Sequence, residues 1–358
     1  MANASKPGVR PGTVLNLALQ GGGAHGAFTW GVLDRLLDEQ DIQIGRISGT
    51  SAGALNGAAL VTGLARAGRQ GARDQLALLW QKVAEAGSLL TFLMLPLRKP
   101  GMGLWDDALP ILSPYQTNPL GMAPLRCILE ATVDEAALRA GGTTPALFVN
   151  AVHVQTGSSR LFGPGDISID ALLASACAPF SYQAVQIEGQ SYWDGSYAAN
   201  PVLWPLYADN LDCDIFMVEL TQLHRTDTPT SARNILDRIN EVASINGLVS
   251  ELRALDTVNR SVADAAIRMH VLSMSARQLA AARTEPSVKR TVGRVLFEVL
   301  RQDGWRACDA WLHEHGALLG ERASVDLAAR YLQPYAGRCV QDASRGVAAR
   351  HRRISGQL

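Results

Sequence analysis

The sequence lacks any run approaching the ~18 consecutive apolar residues that a membrane-spanning helix needs, although 47% of its residues are hydrophobic. With 358 residues and that apolar content, the chain is expected to fold as a globular protein with a sizeable core. An excess of one charge is also missing. Lys plus Arg and Asp plus Glu both total 33, giving a formal net charge of zero, so there is no basic footprint and no nucleic-acid partner is expected. The first residues, including Lys6 and Arg10, are not followed by an apolar segment. No secretory signal is therefore expected, and the chain reads as cytoplasmic, peripheral contact with membranes or lipid inclusions remaining compatible with it.

Metal and disulfide signatures are absent as well. Cys127, Cys177, Cys213, Cys308 and Cys339 are widely spaced, with no CxxC pair and no histidine at zinc-finger spacing. They read as buried thiols of a reducing compartment. Without an HExxH, an EF-hand loop or a carboxylate cluster, no metal and no other cofactor is expected. No internal repeat, low-complexity linker or sharp domain boundary interrupts the chain.

What is present begins with residues 14–19, VLNLAL, an alternating segment that reads as a strand and runs into Gly21-Gly22-Gly23-Ala24-His25-Gly26. Residues 27–37 follow with helical spacing, Val32, Leu33, Leu36 and Leu37 lying opposite Asp34, Arg35 and Asp38. Residues 42–48 read as a second strand, succeeded by Gly49-Thr50-Ser51-Ala52-Gly53 and a helix of small residues. Such a βαβα opening predicts a parallel sheet covered by helices on both faces. Further on, residues 145–154 and 159–162 read as a hairpin, and 168–178 as a helix capped by Ser168. Another strand pair surrounds 184–196, residues 213–220 suit a central strand, and 267–274 suit one more. Ile235, Ile239, Val242, Ile245, Val249, Leu252 and Leu255 trace the apolar stripe of one long helix from residue 231 to about 260. Residues 290–332 read as two helices.

The glycine loop alone has two readings. Gly21-x-Gly23-x-x-Gly26 fits the fingerprint that wraps backbone amides around a dinucleotide pyrophosphate. That reading calls for an acidic residue about 20 positions later to hold the ribose, whereas the second strand ends in Ser48 and enters GTSAG. A GxSxG placed between a strand and a helix is a nucleophile elbow, a sharp turn that exposes the serine Oγ. On adjacent parallel strands both loops emerge at one sheet edge. The glycine-loop amides and the positive end of the following helix would then face the carbon that Ser51 attacks.

A nucleophilic serine needs a base. Two preceding strands are too few for the α/β-hydrolase order, and the later histidines, His224, His270, His313, His315 and His351, lie in no triad context. Asp194, in the sequence Ser191-Tyr192-Trp193-Asp194-Gly195-Ser196, is the better candidate. A partly desolvated carboxylate gains basicity over an ordinary one.

GGGAHG, GTSAG and DGS, in that order and at that separation, resemble the patatin-like phospholipase family over residues 14 to about 220. The resemblance implies a three-layer α/β fold with a mostly parallel central sheet, here carrying a helical C-terminal extension. The corresponding division is a hydrolase core at 14–225, a helical part at 226–337 and a basic polar tail at 338–358. It also implies hydrolysis of lipid acyl esters by a Ser-Asp dyad that works without histidine, with phospholipids or related lipids as substrate. On this resemblance Ser51 is the nucleophile and Asp194 the general base. The backbone of Gly21, Gly22, Gly23, Ala24, His25 and Gly26 forms the oxyanion hole, Gly49, Thr50, Ala52 and Gly53 build the elbow, and Gly195 and Ser196 complete the DG motif.

Two positions depart from the family pattern. His25 stands where Arg or Lys is common, and it reads as a surface loop histidine. Ser196 stands where the pattern has Gly or Ala, at a cost of about 1 kcal/mol if the backbone there requires a positive φ. The Leu-rich segment 88–105 reads either as an interfacial lid or as covered core, and the Arg-rich tail as a solvated terminus. The rival functions are a dinucleotide-binding oxidoreductase and a catalytically idle lipid-binding protein on the same fold.

Overall fold

The computed structural model describes residues 8–94, 113–140, 142, 144–221, 223, 225, 228–275 and 293–333. The 88–105 segment from residue 95 onward, the basic tail, His224, His351 and Cys339 lie outside them. The first strand, β1 (Thr13–Leu19), is buried on both faces from Leu15 to Leu19, the environment of a central strand with helices above and below. Its neighbours in the sheet are β2 (Ile42–Gly49) and β7 (Asp212–Glu219), both parallel to it.

Around these lie β3 (Leu147–His153), β4 (Ser159–Phe162), β5 (Val185–Ile187), β6 (Gln190–Asp194) and β8 (Ala266–Ser273). The order across the sheet is β5-β6-β3-β2-β1-β7-β8, with β4 paired to β3. From β3 to β8 the strands run parallel, whereas β4, β5 and β6 pair antiparallel. The sheet is thus mixed rather than wholly parallel. Two short reversals cause this: the 154–158 turn after β3, and the tight turn at Glu188 and Gly189, both at positive φ.

Helices cover both faces. On one lie α1 (Gly26–Leu36), α2 (Ala52–Met94, broken at Ala67 and Gly68), α3 (Ala123–Thr132) and α4 (Glu135–Arg139). With them are α5 (Ile169–Ser175), whose N-terminus is capped by Ser168 as the sequence predicts, and the late helix α7 (Arg294–His315). Phe28, Leu33, Leu60, Leu76, Leu172, Phe297 and Leu312 pack there against Leu15, Leu19 and Phe216. The opposite face carries α6 (Ala232–Ser261), where Leu248, Leu252 and Leu255 meet Ala18, Ile215, Met217 and Met269. This is a three-layer α/β/α arrangement.

Three sequence expectations change. Ile245, Val249, Leu252 and Leu255 of α6 are buried, but Ile239 is 57% exposed and Ile235 and Val242 are also exposed. The N-terminal half of α6 packs instead over the Gly195–Tyr197 turn, where its contact is polar, Tyr197 Oη donating to Asn240 at 2.8 Å. The 290–332 region holds one long helix, α7; Gly316 and Gly320 end regular winding, and a five-residue π turn, Ala328–Leu332, follows. Cys127 is exposed because α3 turns Ile128, Leu129 and Thr132 inward, while Cys177, Cys213 and Cys308 are buried.

Candidate active site

β1 and β2 deliver their loops to the same edge of the sheet. After Gly49 the chain turns so sharply that Ser51 adopts φ 52, a left-handed conformation that costs a non-glycine residue about 1–2 kcal/mol. The strain is held by neighbours. The Ser51 N–H donates to the buried Ser175 Oγ at 2.9 Å, and Gly53 N–H donates to Thr50 O at 2.8 Å. A Cβ on Gly53 would lie 2.1 Å from Leu19 O, and one on Gly21 would lie 2.8 Å from the Ser51 Cβ. Glycine at these two positions is what lets β1, its loop and the elbow touch.

Asp194 reaches the same place from the other direction. β6 runs antiparallel to β3 and ends with Asp194 opposite Ala151. The parallel β2–β3 register pairs Gly49 with Val149; continued by two residues it brings Ser51 level with Ala151, and so with Asp194 across β3. The side chains of Ser51 and Ser196 both lie close enough to the Asp194 carboxylate to favour its charged form. The Ser196 N–H donates to Asp194 Oδ1 at 2.9 Å. Burial of Asp194 raises its pKa above the ordinary aspartate value, and the donors from Ser196 and Ser51 only partly offset this. Ser196 is not at positive φ, so serine in the DGS turn carries no backbone penalty.

The glycine loop packs against this pair. Gly23, at φ 57, opens a single 3-10 turn, Gly23–His25, that leads into α1. A Cβ on Gly26 would lie 2.7 Å from the Ala52 Cβ, so the start of α1 abuts the elbow. The amides divide into two groups. Gly21 N–H donates to Asn200 Oδ1 at 2.7 Å, His25 N–H to Gly22 O at 3.2 Å, and Gly26 N–H to the carbonyls of Gly23 and Ala24. The N–H groups of Gly22, Gly23 and Ala24 meet no protein acceptor among the described residues. Of the six residues expected to form the donor loop, three consecutive ones thus keep their amides unengaged among the described residues.

His25 is not on the surface: it is 2% exposed. The 3-10 turn and the close approach of α1 to the elbow fold its side chain inward, a consequence of chain path that a glycine-rich loop does not advertise. His153 is held at the rim, with Nδ1 2.8 Å from Thr156 Oγ1 and Nε2 2.7 Å from Gln190 Oε1. His270 is fully buried, its Nε2 2.7 Å from Asp214 Oδ1. The Asp194 carboxylate accepts the Ser196 N–H, and the groups that lower its pKa belong to Ser196 and Ser51. Tyr192 is buried in the core and Trp193 packs against it.

Three asparagines that sequence reasoning did not single out as structural pins bind the site together. Asn56 Nδ2 donates to Gly26 O and Ala52 O, both at 3.0 Å, while Trp80 Nε1 donates to Asn56 Oδ1 at 3.0 Å. Asn150 accepts the Thr50 hydroxyl and donates to Gly195 O at 3.0 Å and Ala199 O at 2.9 Å, tying the elbow to the Asp194 turn. Asn200 joins that turn to the glycine loop. Each carboxamide sits in an otherwise apolar or small-residue stretch, and such a buried group must find partners.

A strained Ser elbow, a buried Asp beside it and a loop of unengaged amides at one sheet edge coincide with a family model: the Patatin-like phospholipase model matches residues 17–207, more than half of the chain. The chain belongs to the patatin-like phospholipase family. Members of the patatin family are lipid acyl hydrolases. Within the matched span lie the glycine loop, the elbow and the Asp194 turn, all carried on β1 to β6 of the patatin-type sheet. Among solved structures, the crystal structure of VipD from Legionella pneumophila is similar with a TM-score of 0.43 and 12% identity, over 90% of this chain and 73% of that one. No curated protein matches the sequence significantly.

Proposed function

We propose that this patatin-like protein cleaves carboxylic ester bonds of phospholipids or related lipids through a Ser51–Asp194 dyad and an acyl-enzyme. The observation that carries the proposal is the strand register that sets Ser51, at its strained elbow, level with Asp194, a carboxylate that burial has made more basic. Asp194 takes the Oγ proton as Ser51 attacks the ester carbonyl carbon. The carbonyl oxygen becomes an oxyanion, received by the free N–H groups of Gly22, Gly23 and Ala24 and the positive end of α1. Removing one such donor typically lowers turnover by about 10²–10³-fold. Collapse of the tetrahedral species breaks the bond to the alcohol, which leaves with the proton from Asp194. Water then gives a proton to Asp194 and attacks the acyl-serine; the second collapse releases the fatty acid and returns the proton to Ser51.

Among the described residues no helix is long and apolar enough to cross a membrane. Fatty-acid release from phospholipid, lysophospholipid and short p-nitrophenyl esters tests the proposal. Ser51→Ala is expected to abolish release while the protein stays folded, and a variant that keeps its activity overturns the assignment.

A further inference from the structure

The side chain of Asn200 is 1% exposed, and three of its polar contacts are direct. Oδ1 accepts the Gly21 N–H at 2.7 Å, Nδ2 donates to Gly21 O at 3.2 Å, and the same Nδ2 donates to Ser244 Oγ at 2.9 Å. The first two form a reciprocal amide pair with one residue, holding both the position and the plane of its backbone groups. That residue, Gly21, is the one packed against the nucleophile.

We infer that Asn200 is a positioning residue that fixes the glycine loop and thereby selects Gly22, Gly23 and Ala24 as the oxyanion donors. The inference rests on the hydrolase reading above and adds to it how the donors are chosen. An oxyanion hole works only if its amides are aimed before the charge appears. Gly21, left to itself, offers the amide next to Ser51, and glycine constrains its own φ and ψ least. Asn200 occupies that amide and its carbonyl, and the next three N–H groups are the ones left without a protein acceptor among the described residues. Because Asn200 belongs to the segment that carries Asp194, and because Ser244 anchors it to α6, base and donors are held as one unit. Asn150 performs the corresponding service between Thr50 and the Asp194 turn.

The test uses a soluble p-nitrophenyl ester and a trifluoromethyl ketone, whose hemiketal with Ser51 carries the oxyanion that an unreacted ester lacks. Turnover is counted per active site titrated with a fluorophosphonate, so that any misfolded fraction drops out. Asn200→Asp keeps the acceptor for Gly21 N–H but loses both donors; Asn200→Ala loses everything. Both are expected to lower kcat about 100-fold with KM within about threefold of wild type, and to weaken ketone binding in parallel with kcat. A residue that only stabilises the fold would lower the titrated fraction and leave turnover per site unchanged.

Ser244→Ala serves where the Asn200 variants do not fold. It removes the α6 anchor alone, and kcat and ketone affinity are expected to fall together about threefold at unchanged KM. Wild-type kcat and ketone affinity in the folded variants, or a fall in kcat with ketone affinity intact, overturn the inference while leaving the hydrolase reading in place. A wild-type protein that neither cleaves esters nor is labelled by the fluorophosphonate overturns both.

Discussion

Ser51 and Asp194 stand level with each other across β3, one from the end of a parallel strand and the other from the end of an antiparallel one. The mixed character of the sheet is what permits this. A fully parallel sheet would bring its loops to the edge from one direction only, whereas β6 returns toward β3 and leaves its final residue beside the elbow. The two side chains are thereby held together at one edge of the sheet.

The elbow strain has a measurable signature. Ser51→Ala and Ser51→Gly both remove the hydroxyl, but glycine adopts φ 52 without the Cβ penalty. Ser51→Gly is expected to exceed Ser51→Ala in stability by about 0.5–1 kcal/mol, the strain relieved less the extra chain entropy of glycine. Denaturant midpoints of the two inactive variants measure the difference, and a Ser51→Gly midpoint below that of Ser51→Ala would show that the turn stores no strain.

Asp194 links activity and stability to pH with opposite benefits. Its folded pKa is raised by burial, so the native state binds its proton more tightly than the unfolded chain. Stability therefore falls as pH rises from the ordinary aspartate value through the raised one, while the base is active only once ionised. kcat/KM is expected to decline on the acid side with an apparent pKa above that of an ordinary aspartate. Asp194→Asn should be inactive yet more stable than wild type at neutral pH, the advantage vanishing below the ordinary aspartate range. Parallel pH–rate and thermal-unfolding series check both halves, and a neutral-pH variant less stable than wild type would refute the assigned sign.

Histidine removal separates fold from chemistry. His270→Ala takes the Nε2 partner from buried Asp214 and opens a void beside Trp311, at an expected cost of about 2–4 kcal/mol. Turnover per titrated site is expected to stay at the wild-type level in folded His270→Ala, as in His153→Ala, His313→Ala and His315→Ala. Loss of turnover in a folded member of this set would call for a histidine base.

Much of this architecture was legible in local sequence pattern. The alternation of residues 14–19, the glycine loop, the helical spacing after it and the GTSAG turn all encode local backbone choices, and the structure places β1, α1, β2 and the elbow accordingly. Long-range contacts were not legible. Asn150 in Leu147–His153 looks like one polar residue in a strand, and its partners Thr50, Gly195 and Ala199 come from distant segments. The burial of His25 depends on a 3-10 turn whose inward aim is set by α1 packing beside Ala52. In α6 the apolar period continues past the point where the sheet ends, so Ile235 and Ile239 share the stripe of Leu252 without sharing its burial. Ser196 looked like a departure from the family pattern, yet its N–H donates to the Asp194 carboxylate.

The most direct measurement of the central claim is covalent labelling of the native protein with a fluorophosphonate, followed by intact mass and peptide mapping. A stoichiometric adduct on Ser51 is expected, formed rapidly in wild type, far more slowly in Asp194→Asn and not at all in Ser51→Ala. An unlabelled wild-type protein, or an adduct on another residue that persists in Ser51→Ala, would contradict it.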